Sequence, residues 1–190
     1  LEKEGVPLKK LALVILTHGH SDHAGLAKEI RDVSKAKIIG GKGDLEMFKE
    51  GHHPDLRPTS LMARIVRLFV NPNYPAFEPD IVIESTPFDL TPYGIAGQVM
   101  ALPGHTPGAL IVALNDKRFF VGDMILGGIW GGALFSNRPG EHYFHEDRMR
   151  NRENILKVMK MGAETLYLGH GGPVERADVI EAFHVHLDGT

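Results

Sequence analysis

Short apolar runs bounded by glycine, proline or polar residues alternate along the chain with segments in which apolar residues recur every three or four positions. Runs of the first kind are typical of buried strands, and segments of the second kind are typical of amphipathic helices. The pattern predicts strands at 11–16, 36–39, 81–83, 97–102, 109–114, 119–121 and 165–168, with a hairpin turn at Asn115-Asp116. It predicts helices at 24–33, 44–49, 59–70, 147–161 and 175–187, the second of them capped by Asp44. The alternation favours an α/β protein, and 190 residues fit a single domain, 1–190.

Two segments allow alternative interpretations. The predicted helix at 59–70 is either a lid whose apolar side meets a substrate or an ordinary helix packed on the core, and the second arrangement is the commoner one. The glycine-rich stretch 127–132 around Trp130 is either a substrate loop or a plain mobile connection.

The stretch 17–25, Thr-His-Gly-His-Ser-Asp-His-Ala-Gly, follows the first predicted strand directly. Residues two apart in an extended segment point the same way, so His18 and His20 can approach one metal ion together. Asp22 and His23 follow where the chain turns into a helix and can face a second ion. Imidazole and carboxylate are the ligands that zinc and its neighbours accept. The alternative interpretation, a helix cap with loop histidines, does not account for four such groups at this spacing.

Three further ligand-type residues follow predicted strands in the same way. His105, Asp123 and His170 each come after an apolar run and a glycine. Ligands in α/β sheets collect at the carboxyl ends of strands, so all four stretches are expected to converge. Each residue alone is a weak signal, because histidine or aspartate in a glycine turn is usually structural. Together with the first stretch they supply seven ligands, enough for two metal ions with one shared carboxylate.

Composition narrows the classes of partner. The chain has no cysteine, which excludes disulfides, thiolate metal sites and a cysteine nucleophile. The net charge of −3 argues against nucleic acid as a partner, and no apolar run reaches the length of a membrane span. We therefore expect a small-molecule substrate and a cytoplasmic location. The remaining histidines, at 52, 53, 142, 145, 184 and 186, are expected to lie on the surface, because polar residues are mostly exposed.

The motifs His18-x-His20-x-Asp22-His23, Pro-Gly-His105-Thr-Pro-Gly, Gly-Asp123 and Gly-His170 resemble, in order and context, those of the metallo-β-lactamase superfamily. The resemblance implies a four-layer αβ/βα sandwich with metals at one edge. Members usually begin with several strands before the first motif, so we expect the N-terminal part of the first sheet to be missing and the domain to be N-terminally incomplete. An unpaired sheet edge would also favour a homodimer.

The resemblance also implies how the ligands divide. One metal is expected on His18, His20 and His105, and another on Asp22, His23 and His170, with Asp123 bridging them. We expect two Zn²⁺ ions, with iron or manganese as the alternative. Two ions about 3.5–4 Å apart share a hydroxide that attacks the substrate, and Asp22 serves as the catalytic residue that orients it or passes a proton.

We therefore predict a dinuclear metal-dependent hydrolase acting on an ester, thioester or lactone, with β-lactam hydrolysis only as a side activity. Two alternatives stay open: a mononuclear iron oxygenase similar to persulfide dioxygenases, and a truncated metal-binding domain without turnover. No substrate-binding residue is assigned, although Tyr74, Trp130 and Tyr143 are candidates.

Overall fold

The computed structural model describes residues 5–186. The strands are β1 Leu13–Ile15, β2 Lys37–Gly41, β3 Ile81–Ile83, β4 Phe88–Asp89, β5 Gly97–Ala101, β6 Leu110–Leu114, β7 Arg118–Gly122, β8 Leu126–Ile129, β9 Leu134–Gly140, β10 Thr165–Leu168 and β11 Val174–Glu175. The helices are α1 Ser21–Ala24, α2 Ala27–Ser34, α3 Leu45–Glu50, α4 Leu61–Arg67, α5 Arg148–Lys160 and α6 Arg176–Phe183. Short 3-10 turns precede β1, α3 and β5.

The strands form two main sheets. In the described residues the first sheet has the order β1-β2-β3 and is parallel throughout. The second has the order β11-β10-β7-β6-β5-β4 and is mixed, with β7 and β10 parallel and the other pairs antiparallel. A separate antiparallel hairpin joins β8 to β9.

The directions of neighbouring side chains in the strands show how the sheets and helices are layered. Ile38 packs with residues of α1, α2 and α3, whereas its neighbour Ile39 packs against Val99 and Leu110 of the second sheet. On the other side of that sheet, Ile111 packs with residues of α5 and α6. Because successive side chains of a strand point to opposite faces, each sheet buries one face on helices and the other on the second sheet. The result is the expected four-layer αβ/βα sandwich.

The hairpin β8–β9 was not predicted. The sequence pattern indicated only a glycine-rich connection at 127–132. Most residues of β9 are exposed, so neither face of this strand requires the apolar alternation by which strands are predicted. Gly128 shows why glycine occurs here: its φ is +75°, and a Cβ would lie 2.1 Å from the carbonyl oxygen of Leu134 on the facing strand. The glycines therefore allow two backbones to approach closely.

The helices differ in detail from the prediction. The segment 24–33 belongs to two helices, since α1 starts three residues earlier and α2 follows it. The helix predicted at 59–70 is regular only over Leu61–Arg67, where the Ser60 hydroxyl accepts a hydrogen bond from the Ala63 amide. The last predicted helix ends at Phe183, and residue 187 lies outside the described residues.

Candidate metal centre

The seven predicted ligands converge at one edge of the sandwich. Residues 18–23 follow β1 directly. Asp123 and His170 follow β7 and β10, which are parallel neighbours, so both side chains lie at the same edge. The loop that carries His105 enters β6, which runs antiparallel to β7 and so begins where β7 ends. The topology of the second sheet thus brings three of the stretches together, and the first stretch joins them where the Leu110 amide donates to the Thr17 carbonyl at 2.7 Å.

The first group consists of His18, His20, His105 and Asp123, all buried, with ligand atoms within 4.8 Å of one another. The Nε2 atom of His105 lies 3.2 Å from His18 Nε2 and 3.1 Å from His20 Nδ1. Three imidazole nitrogens pointing at one position cannot all be satisfied by hydrogen bonds to each other. The donor set is the one expected for a transition-metal ion.

The second group consists of Asp22, His23 and His170 and is more open to solvent. His170 Nε2 lies 3.0 Å from Asp22 Oδ2. This group lies beside the first, because Asp123 Oδ1 is 3.3 Å from His23 Nε2 and Asp123 Oδ2 is 3.6 Å from His170 Nε2.

Asp123 lies between the two groups. Its side chain is buried, yet Oδ1 makes no well-formed hydrogen bond. Buried carboxylate oxygens are normally hydrogen-bonded, and an orphaned one is explained by an ion or water at that position. The orphaned atom and the surrounding imidazoles together fit a metal-binding site.

Local contacts set the protonation of the histidines. The Nδ1 atom of His105 donates to the Phe144 carbonyl at 2.8 Å, which leaves Nε2 free as an acceptor. Burial, followed by the neighbouring histidines, holds the pKa of His18 and of His105 well below the usual range. Burial and the nearby His53 lower the pKa of His20 to about 3. The three histidines of the first group are therefore neutral and able to bind a cation.

The two histidines of the second group have raised rather than lowered pKa values. Burial alone would lower the pKa of His23, but Asp123 and Asp22 raise it. The hydrogen bond with Asp22 raises the pKa of His170. The pKa of Asp123 is well below its usual range because His142 and His23 outweigh the effect of burial. Metal binding at this group would therefore release protons.

Three histidines that were expected on the surface are buried beside the centre, and for them that expectation was wrong. His142 Nε2 lies 3.1 Å from Asp123 Oδ2, and the ring of His53 lies 4.9 Å from that of His20. His145 packs edge-on against His105. His142 comes two residues after β9, which ends at Gly140, but β9 was not predicted, and neither His53 nor His145 directly follows a strand, so the strand-end pattern could not indicate them. Only the clustering of His142 and His145 just before α5 was visible in the sequence.

Two of the three aromatic candidates lie at the centre. Trp130 and Tyr143 line a cavity above the metal-type residues, and Tyr143 Oη accepts a hydrogen bond from the Trp130 amide at 3.1 Å. Tyr74 does not line this cavity, because its hydroxyl donates to the Gly19 carbonyl at 2.9 Å on the other side of the motif.

Gly169 is required by the close approach of β10 to Asp123. A Cβ there would lie 2.0 Å from Asp123 Oδ1 and 2.6 Å from His23 Cε1. We expect Gly169→Ala to displace both side chains and to reduce turnover about a hundredfold, since displacements of about 1 Å cost that much. Metal content and kcat measure the effect, with Gly140→Ala as control because a Cβ at Gly140 meets nothing within 4 Å. Wild-type metal content and turnover in Gly169→Ala would contradict the prediction.

Glu141 holds the loop that carries His142 and His145. Its carboxylate accepts hydrogen bonds from Arg152 at 2.6 Å and Arg148 at 3.0 Å, and it lies 3.3 Å from His145 Nε2. Burial would raise the pKa of Glu141, but these three contacts lower it to about 2.

A lowered carboxyl pKa stabilises the fold above the unfolded pKa and stops doing so as the pH falls through the folded pKa. We expect Glu141→Gln to reduce the free energy of unfolding by about 2 kcal/mol at neutral pH, a figure that allows for the half-exposed arginines. The difference from wild type should shrink between pH 4.5 and about 2. Urea denaturation at stepped pH measures this, with the exposed Glu153→Gln as control; a difference that is independent of pH would contradict it.

Comparison with known proteins identifies the class of protein to which the chain belongs. A four-layer α/β sandwich with histidines and aspartates gathered at one edge is a metal-binding fold, and residues 1–170 match the sequence model of the Metallo-beta-lactamase superfamily. The chain belongs to this superfamily, as its motifs predicted.

Two relatives and one solved structure agree with this family assignment. The chain is 29% identical to the probable metallo-hydrolase YflN of Bacillus subtilis, over 94% of this chain and 71% of that protein. It is 31% identical to the hydroxyacylglutathione hydrolase GloC of Haemophilus influenzae, over 66% of this chain and 55% of GloC. The crystal structure of the BLEG-1 B3 metallo-beta-lactamase shares the fold, with a TM-score of 0.67 at 19% identity, covering 95% of this chain and 78% of that one. Family and relatives support a metal-binding hydrolase. Within the described residues, no helix has the length and apolarity needed to cross a membrane.

Proposed function

We propose that the chain is a dinuclear metal-dependent hydrolase of a small ester, thioester or lactone. The observation that carries this proposal is the pair of ligand groups that share the buried Asp123, whose Oδ1 has no hydrogen-bond partner. In this proposal His18, His20 and His105 hold one ion, and Asp22, His23 and His170 hold the other. Zinc suits this nitrogen and oxygen donor set. Thioesters are among the proposed substrate classes because GloC is named a hydroxyacylglutathione hydrolase.

Each residue has a definite part in such a reaction. When bound, the ions would polarise the substrate carbonyl and lower the pKa of water. Asp22 is half-exposed at the mouth of the centre, and its pKa is lowered because the hydrogen bond with His170 and the nearby His23 outweigh burial. The Asp22 carboxylate is therefore ionised at neutral pH and can accept a proton from the attacking water. His142 Nε2 fixes Asp123 from the cavity side.

Elemental analysis of protein purified without added metal, followed by assays with esters, thioesters, lactones and β-lactams, tests the proposal. We expect two zinc equivalents per chain, turnover of at least one acyl class, and β-lactam hydrolysis that is slower or undetectable. About one iron, with oxygen uptake in the presence of a persulfide, would favour an oxygenase instead. A folded, metal-loaded protein that is inert on the whole panel would indicate a metal-binding domain without turnover.

A further inference from the structure

Nine of the sixteen large apolar side chains that are exposed on the described residues lie in two short segments. One segment is α4 with the turn that follows it, and the other is the β8–β9 hairpin. We call these nine residues the apolar rim: Leu61, Met62, Ile65, Leu68, Phe69, Ile129, Trp130, Leu134 and Phe135. Single exposed apolar residues are common on protein surfaces, but a concentration of this kind indicates a surface that contacts another molecule.

The apolar rim lies on two sides of the cavity above the metal centre. This cavity, of about 340 Å³, is lined by Val66 and Val70 from the α4 segment and by Leu126 and Trp130 from the hairpin. Tyr143 connects the two elements, because its ring packs against the same small core as Val66 and its hydroxyl accepts a hydrogen bond from the Trp130 amide at 3.1 Å. A surface that contacts both parts of the apolar rim would therefore also cover this cavity.

The segment that contains α4 has apolar residues on two faces. Ala63 belongs to a small buried core, so one face packs on the protein. At about 100° per residue, Ile65 and Phe69 point away from that core, and they are 50% and 84% exposed. Arg64 and Arg67 lie beside this outer face, about one turn apart, and both are exposed. An exposed apolar face flanked by arginines is typical of helices that lie in the interface of a membrane.

The two segments that carry the apolar rim have positive side chains and no negative ones. Residues 56–77 and 124–140 contain four arginines and no aspartate or glutamate, although the net charge of the whole chain is −3. Arg57 pairs with Glu146 at 2.8 Å. The other three arginines are exposed and form no ion pair with any residue that the structure describes; they are Arg64, Arg67 and Arg138. Unpaired cations beside an apolar surface fit an anionic partner.

The two aromatic residues of the hairpin have an unfavourable backbone conformation. Trp130 and Phe135 both have a φ of +54°, in the left-handed region that bulky residues rarely adopt. Their side chains are 70% and 57% exposed, so burial in the protein does not offset this cost. Contact with an apolar phase outside the protein would explain why large aromatic side chains occur at these two positions.

A second copy of the chain fits this surface less well than a lipid bilayer does. In a symmetric dimer the same surface lies on both subunits, so the three arginines would face their counterparts without a carboxylate in either segment to pair with. The apolar rim is also divided by the cavity, whereas protein–protein interfaces require close shape complementarity. A fluid bilayer adapts to a divided surface, and its anionic headgroups would pair with the arginines.

We propose that the apolar rim is a membrane-docking surface that binds the interface of a bilayer containing anionic lipid. The apolar side chains of both segments enter the boundary between headgroups and acyl chains, while the three arginines pair with lipid phosphates. The cavity then faces the bilayer surface. The proposal concerns binding alone and does not depend on the proposed hydrolase function.

Trp130 allows a direct test, because it is the only tryptophan of the chain and belongs to the apolar rim. Metal-loaded protein is mixed with phosphatidylcholine vesicles that contain either no anionic lipid or about 30% phosphatidylglycerol, and tryptophan emission and co-sedimentation are recorded. On the anionic vesicles we expect a blue shift, quenching by brominated acyl chains, and binding at least about tenfold stronger than on neutral ones. Raising the salt concentration to about 0.5 M should remove most of this preference.

Two substitutions test the apolar part of the surface. Ile65→Ser should weaken binding to the anionic vesicles about fivefold, because less apolar area leaves water. The matched control is Val33→Ser, a helix position of almost equal exposure, 49% against 50%, which precedes β2 and so lies at the opposite edge from the metal centre. It should bind as wild type does. Phe135→Asn should also weaken binding but keep or raise the melting temperature, since asparagine tolerates a positive φ.

A pair of double variants tests the charged part. Arg64→Gln/Arg67→Gln should weaken binding to the anionic vesicles about tenfold and leave binding to neutral vesicles unchanged. Lys157→Gln/Lys160→Gln removes two exposed charges at the same spacing on α5 and should bind as wild type does.

Three results would overturn the proposal. The first is the absence of both a blue shift and co-sedimentation on the anionic vesicles. The second is an equal loss of binding in Ile65→Ser and Val33→Ser, or in the two double variants, because binding would then not depend on the apolar rim. The third is a dimer in sedimentation velocity that Ile65→Ser dissociates, without vesicle binding by wild type, which would assign the apolar rim to a protein interface.

Discussion

Replacing Asp123 by asparagine should reduce kcat/KM by about a thousandfold or more and lower the metal content of the purified protein. The carboxylate is 3% exposed, and its two oxygens face five histidine nitrogens within 3.7 Å. An amide of the same shape carries no charge and places a donor where the ions would bind. Loss of such an interaction removes several kcal/mol of transition-state stabilisation.

Two measurements separate this effect from simple misfolding. Added zinc should raise the melting temperature of wild type strongly and that of Asp123→Asn only weakly, since at a given concentration a ligand stabilises the fold more when it binds more tightly. Asp178→Asn, at an exposed carboxylate on α6, should behave as wild type in both assays. If Asp123→Asn retains two metal equivalents and normal turnover, Asp123 is not shared between two ions.

The convergence of the seven metal-type residues could be predicted because each of the four stretches that carry them follows a predicted strand. His105, Asp123 and His170 each come after an apolar run and a glycine, the stretch 18–23 follows β1, and strand ends of α/β sheets meet at one edge. His170 and Asp123 illustrate this: 47 positions apart in the sequence, they follow adjacent parallel strands. The four layers were implied by the resemblance to the superfamily. The structure explains them, because consecutive apolar residues such as Ile38 and Ile39 give a strand two buried faces. A dimer through the first sheet stays a prediction.

The surroundings of these residues could not be predicted in the same way. His53, His142 and His145 lie in irregular loops, where no periodicity relates sequence position to direction. Their burial depends on contacts from far along the chain, such as the hydrogen bond from the Thr59 hydroxyl to the His142 carbonyl. The hairpin β8–β9 was missed because its stability comes from close backbone approach at glycines rather than from apolar alternation.

Asp44 was predicted as a helix cap, and that prediction was wrong in an informative way. The residue does precede α3, but its side chain makes no capping bond. It accepts hydrogen bonds instead from the Gly19 amide at 2.8 Å, the Thr106 hydroxyl at 2.7 Å and the Gly108 amide at 2.7 Å. Gly19 lies between His18 and His20, and the other two donors follow His105 in its loop. One buried carboxylate therefore connects the two loops that supply the three histidines of the first ligand group.

Asp44→Asn should lower the free energy of unfolding of the metal-free protein by about 3 kcal/mol. The side chain is fully buried, and an asparagine amide group would place N–H donors against donors that now meet a carboxylate. Because the two loops would separate, zinc should bind the first ligand group more weakly as well, by about tenfold or more. Urea denaturation and competition with a chelator measure the two effects.

The matched control is Glu46→Gln, which neutralises an exposed carboxylate two residues later, in the first turn of the same helix. It should change neither quantity by more than about 0.5 kcal/mol. The comparison also separates the two roles of Asp44. A loss of stability with unchanged zinc affinity would mean that Asp44 holds the fold but not the ligand geometry, because His18, His20 and His105 would then keep their positions without it. A loss of both means that the same three hydrogen bonds connect the packing of the loops to the metal centre.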